Sequence, residues 1–72
     1  MEMPNITLKT IGANIRKHRQ SKQFKQEWLA KKARLSVSEI SRLENGRRDT
    51  TIKKLLDIAD ALKTHPADFF KD

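Results

Sequence analysis

The segment Leu35-Ser36-Val37-Ser38-Glu39-Ile40-Ser41-Arg42-Leu43-Glu44-Asn45-Gly46 carries both the start and the stop of a helix, and this fixes what the rest of the chain must be. Ser36 stands where a side chain caps the first turn, Glu39 completes a capping box, and Leu35 with Ile40 forms the apolar staple across it. Asn45-Gly46 supplies residue types that tolerate the left-handed conformation at a helix C-terminus. A helix bounded so tightly has about two turns, and isolated helices shorter than about 12 residues are marginal in water. The chain must therefore hold its helices by packing them on one another.

The remaining pattern agrees. Two glycines and two prolines punctuate 72 residues, and no segment alternates polar and apolar residues, so strands are not expected. The pattern predicts an all-α chain of five helices. The first, from Leu8 or Thr10 to Ser21, sets Leu8, Ile11 and Ile15 on one face, with Arg19 continuing it. Gly12 interrupts it at a cost of about 1 kcal/mol relative to alanine, which suggests that another backbone passes close by. After a polar break at Gln20 to Gln23, Phe24 reads as core, and a second helix from Gln26 to Ala33 turns Leu29, Ala30 and Ala33 inward. The helix capped by Ser36 is the third. The fourth, Thr51 to Leu62, carries Ile52, Leu55, Ile58, Ala59 and Leu62 in one apolar stripe, with Leu56 on its flank. Pro66 opens a fifth that ends near Phe70, since proline is tolerated at the first helical position. Residues 1–7 read as a loose tail and residues 8–72 as a single domain. A chain this short buries only about 60% of the surface its unfolded form exposes, so a partner subunit would add stability.

Several function classes are disfavoured. The absence of cysteine excludes a disulfide framework and thiolate metal sites, and a reducing cytoplasm is the simplest setting. No basic stretch precedes a long apolar run, so neither a leader nor a membrane span is expected. His18 and His65 lie on different helices without an acidic or cysteine cluster at ligand spacing, so no metal and no cofactor is expected. Without a phosphate-cradling glycine loop, a nucleophile elbow or a carboxylate pair, the chain is not expected to be an enzyme.

Charge gives the first functional hint. Sixteen Lys and Arg oppose 9 Asp and Glu, a formal charge of +7. Residues 9–54 hold 14 basic and 4 acidic residues, whereas residues 55–72 hold 2 and 4. This concentration suggests one surface built for phosphate; a solvated basic face without a partner is the alternative. From Gln26 to Gly46, two short helices flank the connection Arg34-Leu35-Ser36, which is helix-turn-helix spacing. Ala30 is small where the helices would cross, and Leu35, Ile40 and Leu43 would seat the second against the core. Val37, Ser38, Ser41 and Arg42 then face outward near its leading half, where side chains meet base edges.

From Ile11 to Phe70 the sequence resembles the Xre family, the phage Cro and repressor-type helix-turn-helix proteins. The resemblance rests on Ile11-Gly12 and Ile15-Arg16, on Gln26 with Leu29-Ala30, and on Ser36 with Ile40-Ser41-Arg42-Leu43-Glu44-Asn45-Gly46. It continues through Leu55, Ile58-Ala59, Ala61-Leu62 and Phe69-Phe70. It implies a compact five-helix repressor-like domain in which helix two lies across the DNA backbone and helix three enters the major groove. It places Gln26 at the phosphates, Val37, Ser38 and Arg42 toward the bases, and Asn45 in support of a backbone contact; Lys25, next to Gln26, is a further candidate for the DNA backbone. Arg47 and Arg48 match no motif but sit where positive charge would reach phosphate. Arg19 and Glu44 resemble a recurrent intramolecular pair. Two positions depart from the family: Arg34 stands where glycine is usual in the turn, and Lys25 where a capping Ser, Thr or Asn is usual.

Of the outward residues, Arg42 can donate two hydrogen bonds to guanine O6 and N7, worth about 1–3 kcal/mol in discrimination. Its alternative role is a surface pair with Glu39 or another neighbour. Val37 can read only a thymine methyl, and Ser38 and Ser41 accept several patterns, so Arg42 is expected to dominate. Trp28 is expected to pack against helix one or anchor a solvent-facing edge, because a lone aromatic makes no stacking platform; stacking on nucleic acid is the alternative. Leu56, Phe69 and Phe70 form either a dimer seam or part of the core.

The expected function is sequence-specific binding of a double-stranded DNA operator by a cytoplasmic transcriptional regulator, most simply a repressor. A homodimer on DNA would place inverted half-sites about 34–36 Å apart. The alternatives are an antitoxin that binds a toxin protein and its own operator, or a restriction-modification controller. The chain ends just after helix five, so a toxin would have to use the globular surface.

Overall fold

The computed structural model describes residues 6–71. Four α-helices follow in order, α1 Leu8–Ser21, α2 Gln26–Ala33, α3 Val37–Glu44 and α4 Ile52–Leu62, and a 3-10 helix, Pro66–Phe70, closes the chain. No strand occurs among the described residues. The fifth helix expected from Pro66 is thus corrected from α to 3-10. Five residues opened by proline close through the bond from Asp68 N–H to the His65 carbonyl, 2.9 Å, whose three-residue span is the tighter turn.

Local chemistry explains where three of the four α-helices start. Thr7 and Thr51 accept hydrogen bonds from the backbone N–H of Thr10 and Lys54 at 3.2 and 3.1 Å. At Ser36 both arms of the capping box are present. Lys25, at the start of α2, makes no side-chain cap. Thr7 lies within the expected tail but serves as the cap of α1; residues 1–5 lie outside the described residues.

All four α-helices stop in the same way. Gln23, Arg34, Gly46 and Lys63 take left-handed φ of 60°, 60°, 68° and 54°. The next residue's N–H reaches back to the helix: Phe24 to the Arg19 carbonyl (3.1 Å), Leu35 to Ala30 (2.8 Å), Arg47 to Arg42 (2.9 Å) and Thr64 to Ala59 (3.0 Å). This is the Schellman closure, which satisfies otherwise orphaned carbonyls. Three of the four positions are not glycine, so each bears about 1–2 kcal/mol of left-handed strain.

The core is Ile15, Leu29, Ala30, Ala33, Ile40, Leu43, Leu55, Ile58, Ala59, Leu62 and Phe69, with Ile11, Phe24, Trp28, Leu35 and Ala61 packed around it. α1 packs on α3 and on the 3-10 helix, while α2 packs on both α3 and α4. A Cβ on Gly12 would collide with the Leu43 carbonyl oxygen and lie 3.0 Å from the Glu44 carbonyl carbon. The glycine therefore lets α1 meet the backbone of α3. Gly46 combines its positive φ with close approach to the backbone of Lys9, 2.6 Å from where its Cβ would be.

Two apolar positions expected inside lie outside. Ile52 is 69% exposed and Leu8 38%. Both sit in the first turn of their helices, and periodicity sets a side chain's direction without guaranteeing an element opposite it. Trp28 stacks on Phe24, ring centroids 3.9 Å apart and 20° from parallel, with the Lys32 ammonium 5.8 Å from the ring centroid. The 3-10 helix is held by Asn14, whose Nδ2 donates to the carbonyls of Phe69 and Lys71 at 2.9 and 2.6 Å.

Candidate nucleic-acid interface

α2, the turn and α3 form one unit. Ala33 is followed by Arg34 in the left-handed region (φ 60°, ψ 42°), so the turn that usually needs glycine is made by an arginine whose side chain is exposed. Ala30 is buried between the helices, and Ile40, Leu43 and Glu44 seat α3 in the core. With those residues inward, Val37, Ser38, Arg42 and Asn45 are exposed along α3, and Ser41 is half-buried beside them. The four residues expected at the bases thus share the outward side of α3, with Val37 and Ser38 in its first turn.

A buried cluster fixes the angle of that face. Arg19 Nε donates to Glu44 Oε2 at 2.6 Å, Nη2 to Glu44 Oε1 at 3.0 Å, and Nη1 to the Phe24 carbonyl at 2.7 Å. The fork ties α1 and the α1–α2 loop to the last turn of α3. The hydrogen bond that Arg19 donates to Glu44 pushes its guanidinium above its already high ordinary value, against the opposing effect of burial. Gln26 joins the cluster: its Nε2 donates to Glu44 Oε1 at 3.0 Å. The amide nitrogen of Gln26 keeps a second hydrogen, so one side chain at the start of α2 can hold Glu44 and still meet a phosphate.

The remaining residues singled out in the sequence are spread along the same unit. Lys25, Arg47 and Arg48 are exposed, at the start of α2 and in the loop between α3 and α4. Asn45 Nδ2 donates to the Ser41 carbonyl at 2.8 Å, capping the end of α3. Arg48 Nη2 lies 3.8 Å from Glu39 Oε2, and Lys54 Nζ lies 3.1 Å from the same oxygen. Glu39 is therefore occupied by Lys54 and Arg48, where the sequence offered Arg42. The bond from Lys54, then that from the Ser36 backbone, holds the Glu39 carboxyl below the ordinary carboxylate range. The sequence reading found Glu39 as a cap but missed this second role. No local signal marks it, because Lys54 is 15 positions away and meets Glu39 only through the fold.

The candidate dimer seam requires a correction. Phe69 is fully buried and packs edge-on to His18, centroids 6.0 Å apart, so it is a core residue. It closes the core where the 3-10 helix docks on α1. Leu56 and Phe70 remain exposed, at 50% and 36%. Among the described residues no group of three or more His, Cys, Asp or Glu could hold a metal, and no helix is long and apolar enough to cross a membrane.

The chain is similar to proteins of known structure over most of its length. The restriction-modification controller protein C.AhdI from Aeromonas hydrophila is 32% identical, with a TM-score of 0.85 over 88% of this chain and 96% of that one. The clp gene regulator ClgR from Corynebacterium glutamicum is 31% identical, with a TM-score of 0.83 over 86% and 80%. The restriction-modification controller protein C.Esp1396I is 36% identical, with a TM-score of 0.79 over 88% and 82%. No curated protein matches the sequence. The family model described as helix-turn-helix matches residues 15–69, from the middle of α1 into the closing 3-10 helix. Sequence, turn geometry and fold agree: the chain belongs to the helix-turn-helix family, in the Xre-type form its motifs resemble.

Proposed function

We propose that this protein is a DNA-binding transcriptional regulator that reads a short operator with the outward face of α3. The observation that carries the reading is the exposure of Val37, Ser38 and Arg42 on a helix whose opposite face is locked into the core by Ile40, Leu43 and Glu44. A side chain specifies sequence only if its helix is rigidly placed, and Arg19 with Glu44 supplies that rigidity. Lys25, Gln26 and Arg47 take the phosphates, which orient the protein without reading sequence, and Arg48, shared with Glu39, reaches them only in part. Arg42 is the main reader, Val37, Ser38 and Ser41 lesser ones, and Asn45 supports the backbone contact by holding the end of α3. The domain spans residues 8–72, acts in the cytoplasm and performs no catalytic step.

The protein binds as a homodimer to an inverted repeat, with half-sites about 34–36 Å apart. Exposed Leu56 and Phe70 support a seam on the side formed by α4 and the 3-10 helix. A narrower role, control of a restriction-modification system, is favoured by the likeness to C.AhdI and C.Esp1396I, which are controllers of that kind.

Selection from random duplexes tests the reading. The expected result is enrichment of one motif with two-fold symmetry, bound at least about 1,000-fold more tightly than unselected duplex. Recovery of no motif at any salt concentration would overturn it.

A further inference from the structure

Glu39 divides its two carboxylate oxygens between different tasks. Oε1 faces Ser36, 3.4 Å from its backbone nitrogen and 3.5 Å from its hydroxyl, and completes the capping box of α3. Oε2 faces Lys54 Nζ at 3.1 Å and Arg48 Nη2 at 3.8 Å. Capping needs only an acceptor, and glutamine serves it as well as glutamate. The second oxygen gathers one cation from the loop and another from α4 onto the leading turn of the proposed reading helix.

We infer that Glu39 sets the strength and salt dependence of DNA binding by withholding Arg48 and Lys54 from the phosphates. The inference rests on the DNA-binding reading and adds a residue that tunes it. In a chain of net charge +7, phosphate affinity is easily excessive, and each phosphate-neutralising cation steepens the log-log salt dependence by about 0.9. A cation neutralised by its own protein releases no counterion from DNA and leaves the slope unchanged. The carboxylate suits this task because Lys54 and Ser36 hold it below the ordinary carboxylate range, so it stays charged at neutral pH. Glu39 is thus a positioning residue whose effect passes through Arg48 and Lys54.

Glu39→Gln separates the two tasks, since it keeps the cap and removes the charge. Binding of a mixed-sequence duplex is titrated at several salt concentrations for the unaltered protein, Glu39→Gln, Lys54→Met with Arg48→Met, and all three changes together. The expected result is tighter binding by Glu39→Gln, with a slope steeper by about 1–2 units and an unchanged circular dichroism spectrum. With Lys54 and Arg48 already replaced, Glu39→Gln leaves the slope as it was. An unchanged slope in the single variant, or equal steepening in both backgrounds, overturns the inference while leaving DNA binding intact. Failure of the unaltered protein to bind duplex at low salt removes both.

Discussion

Glu44 organises more of this protein than any outward residue does. Its carboxylate accepts from Arg19 Nε and Nη2 and from Gln26 Nε2, and so joins α1, α2 and α3. Arg19 is 8% exposed and Glu44 4%, so removing one partner leaves a buried charge without compensation. Arg19→Ala and Glu44→Ala are each expected to lower stability by about 3–5 kcal/mol. The double variant is expected to lose well under the sum, as read from urea unfolding of all four proteins; additive losses would contradict the coupling. Arg19 and Glu44 stood out in the sequence because the family resemblance marks both positions. The link from Gln26 to Glu44 did not, nor did that from Glu39 to Lys54, because each depends on how two elements are brought together. Phe69 and Phe70 show the same limit: adjacent identical residues, one in the core and one at the surface.

At the scale of elements, helix bounds were legible at both ends, but most of the left-handed closures that make the stops were not. Ser36 with Glu39 announces α3 through side-chain chemistry that is local and nearly sufficient. Gly46 announces the end of α3 for a similar reason. The ends of α1 and α4, at Gln23 and Lys63, carry no such mark, because tertiary packing holds ordinary residues in a conformation they disfavour. Arg34 is the test of this explanation, since it stands in the turn where the family uses glycine. Arg34→Gly is expected to raise stability by about 1 kcal/mol, the relief of left-handed strain less the entropy glycine loses on folding. The check is a higher urea midpoint at unchanged slope; a lower midpoint would mean that the arginine side chain contributes more than its backbone costs. The closing 3-10 helix was legible as a helix but not as its type, since Pro66 signals a start and says nothing of the span its hydrogen bonds adopt.

Across the whole molecule, charge governs both stability and binding. Two carboxylates are held below their ordinary range: Glu39 by Lys54 and the Ser36 backbone, and Asp68 by Lys71 and Thr64. Groups with depressed folded values stabilise the fold above their unfolded values, and that contribution disappears as pH falls through the folded ones. Thermal unfolding midpoints are therefore expected to hold steady from neutral pH to about pH 5 and to fall below about pH 4. A midpoint that rose on acidification would contradict the assignment of both carboxylates. The same charges gave the first hint of the partner, because the excess of cations is concentrated in residues 9–54. What composition left open was geometry, namely which side chains the core would leave outside.

That geometry is tested most directly by Arg42→Ala, titrated on the selected operator and on duplexes altered at one base pair at a time. The account predicts a loss of about 1–3 kcal/mol on the operator, with preference relaxed at one or two positions and the salt slope unchanged. Equal loss on every sequence, with the slope reduced by about one unit, would make Arg42 a phosphate contact and contradict the claim that α3 reads bases.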